Sequence, residues 1–200
     1  MLIAFEGIDG SGKATQIRKL AAHLKTKGKR CAVLAYPDLQ GPLGRVIDDL
    51  LHRGLELSAE AQFYIFLADI ARDQKRLREA LKANDVVILD RYCFSTVAYQ
   101  KCKGVPEKKA VELVESAELA APDLVLLLDL DAKTASARKQ AERQLDAFEA
   151  DIRFQQCVRA SFRGLAKRKF IAKRWVNVDA AGTPDEVFAR GRAEIDRLIK

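Results

Sequence analysis

Short apolar runs alternate along the chain with longer stretches in which apolar positions return every three or four residues. The runs fall at 2–5, 31–36, 86–89, 124–128 and 175–178. They are too short for helices and lack polar alternation, as expected of strands buried on both faces of a sheet. Between the first two runs, Ile17, Leu20, Ala21 and Leu24 share one helical face, and Gly28 closes that segment. The second run stops at Pro37. A short helix is expected over 43–51, and a long one over 58–82 with Ser58 as its cap and Phe63, Phe66, Leu67 and Ile70 as its stripe. Further helices are expected at 95–102, 106–120, 132–169 and 184–199. Strands that alternate with helices in this way predict an α/β fold, a parallel five-stranded sheet with helices on both faces. Ligands of such sheets sit beyond the carboxyl ends of the strands.

Composition narrows the class. The 200 residues show no internal repeat, low-complexity tract or linker, so 1–200 is expected to be one domain. No apolar run reaches membrane-spanning length, and the first residues read as a strand, not a signal peptide. Cys31, Cys93, Cys102 and Cys157 have no close paired spacing, and there are only two histidines. A zinc site is therefore not expected; reduced thiols in a cytoplasmic protein are. The net charge of +7 is spread along the chain, densest between Arg163 and Arg174. Without a nucleic-acid motif, it reads as a field for a polyanionic small molecule, not as a nucleic-acid surface.

The chemistry concentrates in two places. Directly after the first run stands Gly7-Ile8-Asp9-Gly10-Ser11-Gly12-Lys13, a Gly, four residues and then Gly-Lys, between a predicted strand and a predicted helix. That is the phosphate-loop pattern: glycines let backbone N–H groups turn around phosphate oxygens, and the lysine supplies a mobile positive charge. The pattern asks next for Ser or Thr, to give magnesium a hydroxyl, but this chain has Ala14, with Thr15 one place late. After the run at 86–89 comes Asp90-Arg91-Tyr92, followed by Ser95, Thr96, Tyr99 and Gln100. A carboxylate at a strand end beside a phosphate loop can hold magnesium, and a neighbouring guanidinium can clamp a second phosphate.

Together these stretches resemble the thymidylate kinases, P-loop nucleoside monophosphate kinases with a three-layer architecture. Gly41-Pro42-Leu43-Gly44, Pro122-Asp123-Leu124, Leu145-Asp146-x-Phe148-Glu149 and Val178-Asp179-Ala180 extend the similarity over essentially the whole chain. The resemblance implies transfer of the ATP γ-phosphate to dTMP with Mg2+, giving dTDP and ADP. It implies an ATP site at Gly7, Ile8, Asp9, Gly10, Ser11, Gly12, Lys13, Ala14, Thr15, Arg138, Asp179 and Ala180. On the dTMP side it points to Asp9, Phe66, Arg72, Arg91, Ser95, Thr96 and Tyr99, with Phe66 stacked on the base and Tyr99 against the sugar. Lys13, Asp9, Asp90, Arg91 and Arg143 would be catalytic, Asp9 and Asp90 the metal ligands, and 133–147 a lid. ATP and dTMP are the expected partners; a homodimer is left open, and membrane or nucleic-acid partners are not expected.

Departures from the family pattern carry their own expectations. Besides Ala14, the lid has Glu142 and Ala147 where related sequences often carry arginine. Ile70 stands four residues after Phe66, where the family reads thymine with an arginine. Arg72 is the nearest substitute in sequence, although at about 100° per residue it faces elsewhere. These departures suggest a second reading behind the kinase one, a nucleotide-binding relative with weak or altered-specificity activity.

Overall fold

The computed structural model describes residues 1–142 and 151–199. Strands β1 (Leu2–Glu6), β2 (Cys31–Ala35), β3 (Val86–Asp90), β4 (Leu124–Asp129) and β5 (Trp175–Asp179) form one sheet in the order β2-β3-β1-β4-β5. Every pairing is parallel. All five β1 residues are buried. Alternate side chains of a strand point to opposite faces, so both faces of the sheet centre are covered. The edge strands β2 and β5 are only partly buried. Phe5 pairs with Asp90 on one side and Leu126 on the other, which sets the carboxyl ends of β1, β3 and β4 side by side.

Nine helices lie among the described residues: α1 (Lys13–Thr26), α2 (Gly44–His52), α3 (Ala59–Arg72), α4 (Gln74–Ala83), α5 (Cys93–Cys102), α6 (Glu107–Ser116), α7 (Ala132–Glu142), α8 (Ile152–Lys167) and α9 (Pro184–Leu198). α1 packs against α9 and the sheet, whereas α5 packs between α3 and α8. α9 opens with a capping box, the Thr183 side chain on the Glu186 N–H and the Glu186 side chain on the Thr183 N–H.

Three expectations change. The helix expected over 58–82 is broken at Asp73, which ends α3 and precedes α4. Its N–H turns back to the Ile70 carbonyl, and its buried carboxylate accepts from the Tyr36 hydroxyl at 2.9 Å and from Arg76 at 2.7 Å. A side chain tied to the core from a helix terminus leaves the apolar stripe unchanged, so periodicity does not register the break. The helix expected over 132–169 is described as α7 and α8, and 143–150 lie outside the described residues. The third correction concerns the thiols: Cys102 at the end of α5 and Cys157 on α8 form a disulfide across 55 residues. Packing of α5 on α8 brings their Cα atoms to 5.9 Å, a proximity that sequence spacing does not reveal. Cys31 and Cys93 remain free.

Candidate functional site

The site is built where β1 and β3 end. Residues 7–12 run from β1 into α1, and Gly12 stands before the helix at φ 92°. Gly7 is at φ 142°, where a Cβ would come within 2.6 Å of the Leu128 carbonyl oxygen and 2.8 Å of Ser11 Oγ. Gly10 likewise admits no Cβ against the Ala135 carbonyl of α7. Glycine is required at both positions by backbone angle and by close approach. The Ser11 hydroxyl is buried and has no hydrogen-bond partner among the described residues, a polar group held inside a loop shaped for anions. Lys13 is buried, and its Nζ donates to the carbonyls of Gly7 and Ile8 at 3.0 Å each. Burial, and next the charge of Arg91, bring its ammonium down to about 8. Ala14 is exposed on α1, and the Thr15 hydroxyl accepts from Arg18 at 3.2 Å.

Arg91 follows β3 at φ 66°, an uncommon angle for a residue with a side chain. Its guanidinium donates to Asp9 Oδ1 at 2.5 Å, the Gly7 carbonyl at 3.2 Å and Ser95 Oγ at 3.1 Å. It also lies over the Tyr99 ring, 5.3 Å from the centroid. The Tyr99 hydroxyl donates to Asp9 Oδ2 at 2.7 Å, so both Asp9 oxygens are engaged. Burial alone would raise the Asp9 carboxyl; Arg91 and Lys13 outweigh it and hold Asp9 well below the usual carboxylate range.

Beneath this cluster is a residue to which the sequence reading gave no role. Glu6 is fully buried and accepts from the Tyr92 N–H at 2.8 Å and the Ser95 hydroxyl at 2.6 Å. Burial raises its carboxyl to about 7 against the pull of Ser95 and Arg91. Its signal was a single acid ending an apolar run.

A cavity of about 270 Å³ opens beside Asp9 and Arg91. Phe66, Ser95, Thr96 and Tyr99 all line it. Ile70 lines it too while belonging to the core at 2% exposure, and so is both packing and cavity floor. Arg72 is not brought there. Its guanidinium is held by Asp69 at 2.9 Å and Asp38 at 2.8 Å, the rotation expected from its helical position. Gln100, Lys103, His52 and Lys139 line the cavity without having been singled out for it. Thr96, Tyr99, Gln100 and Lys103 follow at i, i+3, i+4 and i+7, the spacing that could have found the last two.

Asp90 bears electrostatically on both Lys13 and Arg91. On the far side, Arg138 of α7 donates to the Ala180 and Gly182 carbonyls at 3.1 Å each. Asp179 ends β5, and its Oδ1 accepts from the Ala181 N–H at 2.9 Å. Arg143 and the 145–149 stretch lie outside the described residues. No cluster of three or more His, Cys, Asp or Glu able to hold a metal occurs among the described residues. No described helix is long and apolar enough to cross a membrane.

Comparison with known proteins agrees with this geometry. A family model described as thymidylate kinase matches residues 5–190. The chain is 35% identical over 200 residues to the thymidylate kinase of Solidesulfovibrio magneticus, covering 94% of each protein. It is 37% identical over 204 residues to that of Cereibacter sphaeroides, covering 96% of this chain and 93% of the relative. It is 35% identical over 190 residues to a probable thymidylate kinase of Thermococcus onnurineus, covering 90% and 91%.

Proposed function

Because the chain belongs to the thymidylate kinase family, we propose that it is an ATP-dependent phosphotransferase that makes dTDP and ADP from dTMP and ATP. The observation that carries this reading is the phosphate loop meeting Arg91 at the ends of adjacent strands, beside a cavity lined by Phe66 and Tyr99. A loop for one phosphate chain and a guanidinium for another fit transfer between two nucleotides.

In this reading the loop amides of residues 7–13 and the Lys13 ammonium bind the β- and γ-phosphates of ATP. Arg91 binds the dTMP phosphate, one of whose oxygens attacks the γ-phosphorus. The bond from that phosphorus to the β–γ bridging oxygen breaks, and ADP leaves. Asp9 and Tyr99 orient Arg91, and Glu6 fixes the start of α5 behind it. Such transfer is mainly positioning and charge neutralisation, which is what an array of Lys13 and Arg91 supplies. Magnesium, when bound, neutralises charge across the transferred phosphates. Asp90 suits it, because magnesium takes one or two carboxylates plus substrate oxygens and needs no cage of acids; Asp9 is committed to Arg91 and Tyr99. Phe66 stacks on the base, and Tyr99 limits room at the sugar. Residues 1–200 act as one unit with 133–147 as its lid, rooted by Arg138 beside Asp179 and Ala180, and Arg143 counts among the catalytic residues. The cytoplasm, where ATP and dTMP are supplied, is its place of work.

The test is a coupled assay that follows ADP with ATP, magnesium and a panel of nucleoside monophosphates. Turnover with dTMP is expected, and Lys13→Ala should abolish it in a protein that still unfolds cooperatively. ADP release that ignores every acceptor, or full activity in folded Lys13→Ala, would refute the assignment.

A further inference from the structure

The cavity beside Arg91 has two ends, and only one is chemically accounted for. Arg91 and Ser95 stand at the start of α5; Lys103 caps its other end. Ten residues separate Cys93 from Lys103, about 15 Å at 1.5 Å per residue. A phosphate held at Arg91 therefore leaves the base of the same nucleotide toward Lys103. At that end Ile70 offers no hydrogen bond, and Phe66 offers a ring face.

Two polar groups complete the same wall. Gln100 is 2% exposed and lines the cavity, and its Oε1 is buried without a hydrogen-bond partner among the described residues. Buried polar atoms are rarely left in this condition unless something else satisfies them. Lys103 Nζ donates to Gln62 Oε1 at 2.7 Å, and Gln62 Nε2 donates to the Leu57 carbonyl at 2.8 Å. Gln62, Phe66 and Ile70 recur every four residues on α3, so Gln62 holds the ammonium one turn from the Phe66 ring. His52, which also lines the cavity, is engaged by Asp48 at 2.9 Å.

We propose that Lys103, positioned by Gln62, is the base-reading donor of this cavity and selects a keto pyrimidine. Such a ring presents an N–H flanked by two carbonyl oxygens. The Gln100 oxygen accepts the N–H, and Lys103 donates to a neighbouring carbonyl. Cytosine carries a bare ring nitrogen at the first position and an amino group at one neighbour, so it would set acceptor against acceptor and amino group against ammonium. Discrimination of this kind follows from leaving buried polar groups unpaired with the wrong ligand. The inference deepens the dTMP reading above and rests on it for which end holds the phosphate.

Calorimetric titration with thymidine, dTMP and dCMP, alongside steady-state kinetics, tests it. Lys103→Met keeps the aliphatic stem and removes the donor. It should weaken thymidine and dTMP by the same factor, about 10- to 100-fold for a lost charge-assisted hydrogen bond. The ATP KM should stay unchanged, and the preference for dTMP over dCMP should narrow. Lys103→Arg should keep most of that preference. Gln62→Ala, which removes the Gln62 oxygen from Lys103 and keeps the ammonium itself, should weaken thymidine in the same direction by less, and it carries the test if Lys103→Met does not fold. Unchanged thymidine binding in Lys103→Met overturns the proposal. So does a loss for dTMP without one for thymidine, which would make Lys103 a phosphate contact. If wild-type protein binds thymidine in this Lys103-dependent way yet does not phosphorylate dTMP, the kinase reading fails and the base-reading role stands. If it phosphorylates dTMP and Lys103→Met is indifferent to the base, the reverse holds.

Discussion

Single residues at the strand ends are poised by burial as much as by charge. Lys13 is brought down to about 8 first by burial and then by Arg91, so the free protein loses the ammonium as pH rises through that value. Nucleotide affinity should fall in the same interval. An ATP titration from about pH 6.5 to about pH 9.5 should show KM rising on the alkaline side; a flat profile would mean that Lys13 keeps its charge. Glu6 gives a different pH signature. Its carboxyl ordinarily titrates at 4.5 and is pushed up to about 7 in the fold by burial. The folded state then holds a proton that the unfolded chain releases, so this contribution is full below 4.5 and is lost as pH rises through 7. The difference amounts to about 3 kcal/mol. Denaturant unfolding of wild type and Glu6→Gln should therefore diverge between these pH values, with the variant less sensitive. Ile70→Arg would bury a guanidinium at a 2% exposed core position, and should lower stability by several kcal/mol.

Elements are held in place by ties between distant stretches of chain. The Cys102–Cys157 bridge closes 55 residues between α5 and α8. Chain entropy for a loop of that length sets its worth at up to about 4 kcal/mol, so urea midpoints with and without a reductant should separate clearly. Asp73→Ala should cost about 2 kcal/mol by leaving the buried Tyr36 hydroxyl without its acceptor. The central strands were legible to within a residue or two because continuous apolar runs at 2–5, 86–89 and 124–128 have few alternative readings. The break at Asp73 was not, since Phe63, Leu67, Ile70 and Leu77 continue a helical stripe through it. The bridge was not legible either, because it depends on which helices become neighbours. Within the site, Lys13, Arg91 and Tyr99 announced themselves through motif spacing. Gln100 and Lys103 share the helical face of Thr96 and Tyr99, but that this face borders a cavity is settled only once α3 and α5 pack together.

At the scale of the whole molecule, the parallel sheet gathers the ends of its strands into one crevice, and α7 reaches over it. Gly10 lies against Ala135, and Arg138 holds the Ala180 and Gly182 carbonyls after β5, so the root of the proposed lid is fixed at two points. Arg138→Ala should loosen the 180–182 loop, which Arg190 still holds at the Ala181 carbonyl, and raise the ATP KM several-fold, with the dTMP KM moving much less; equal effects on both would argue against an ATP-side role. The contact between Asp9 and Arg91 has a further consequence. The chain supplies its own anion to the guanidinium, so a visiting anion enters by exchange with a tethered rival. Chloride, sulfate or free phosphate must compete with a carboxylate that is always at hand and cannot diffuse away. A nucleotide brings a base and sugar that gain contacts elsewhere in the cavity, and it can win that exchange. The resting Arg91 is thereby less open to the small ions that surround it.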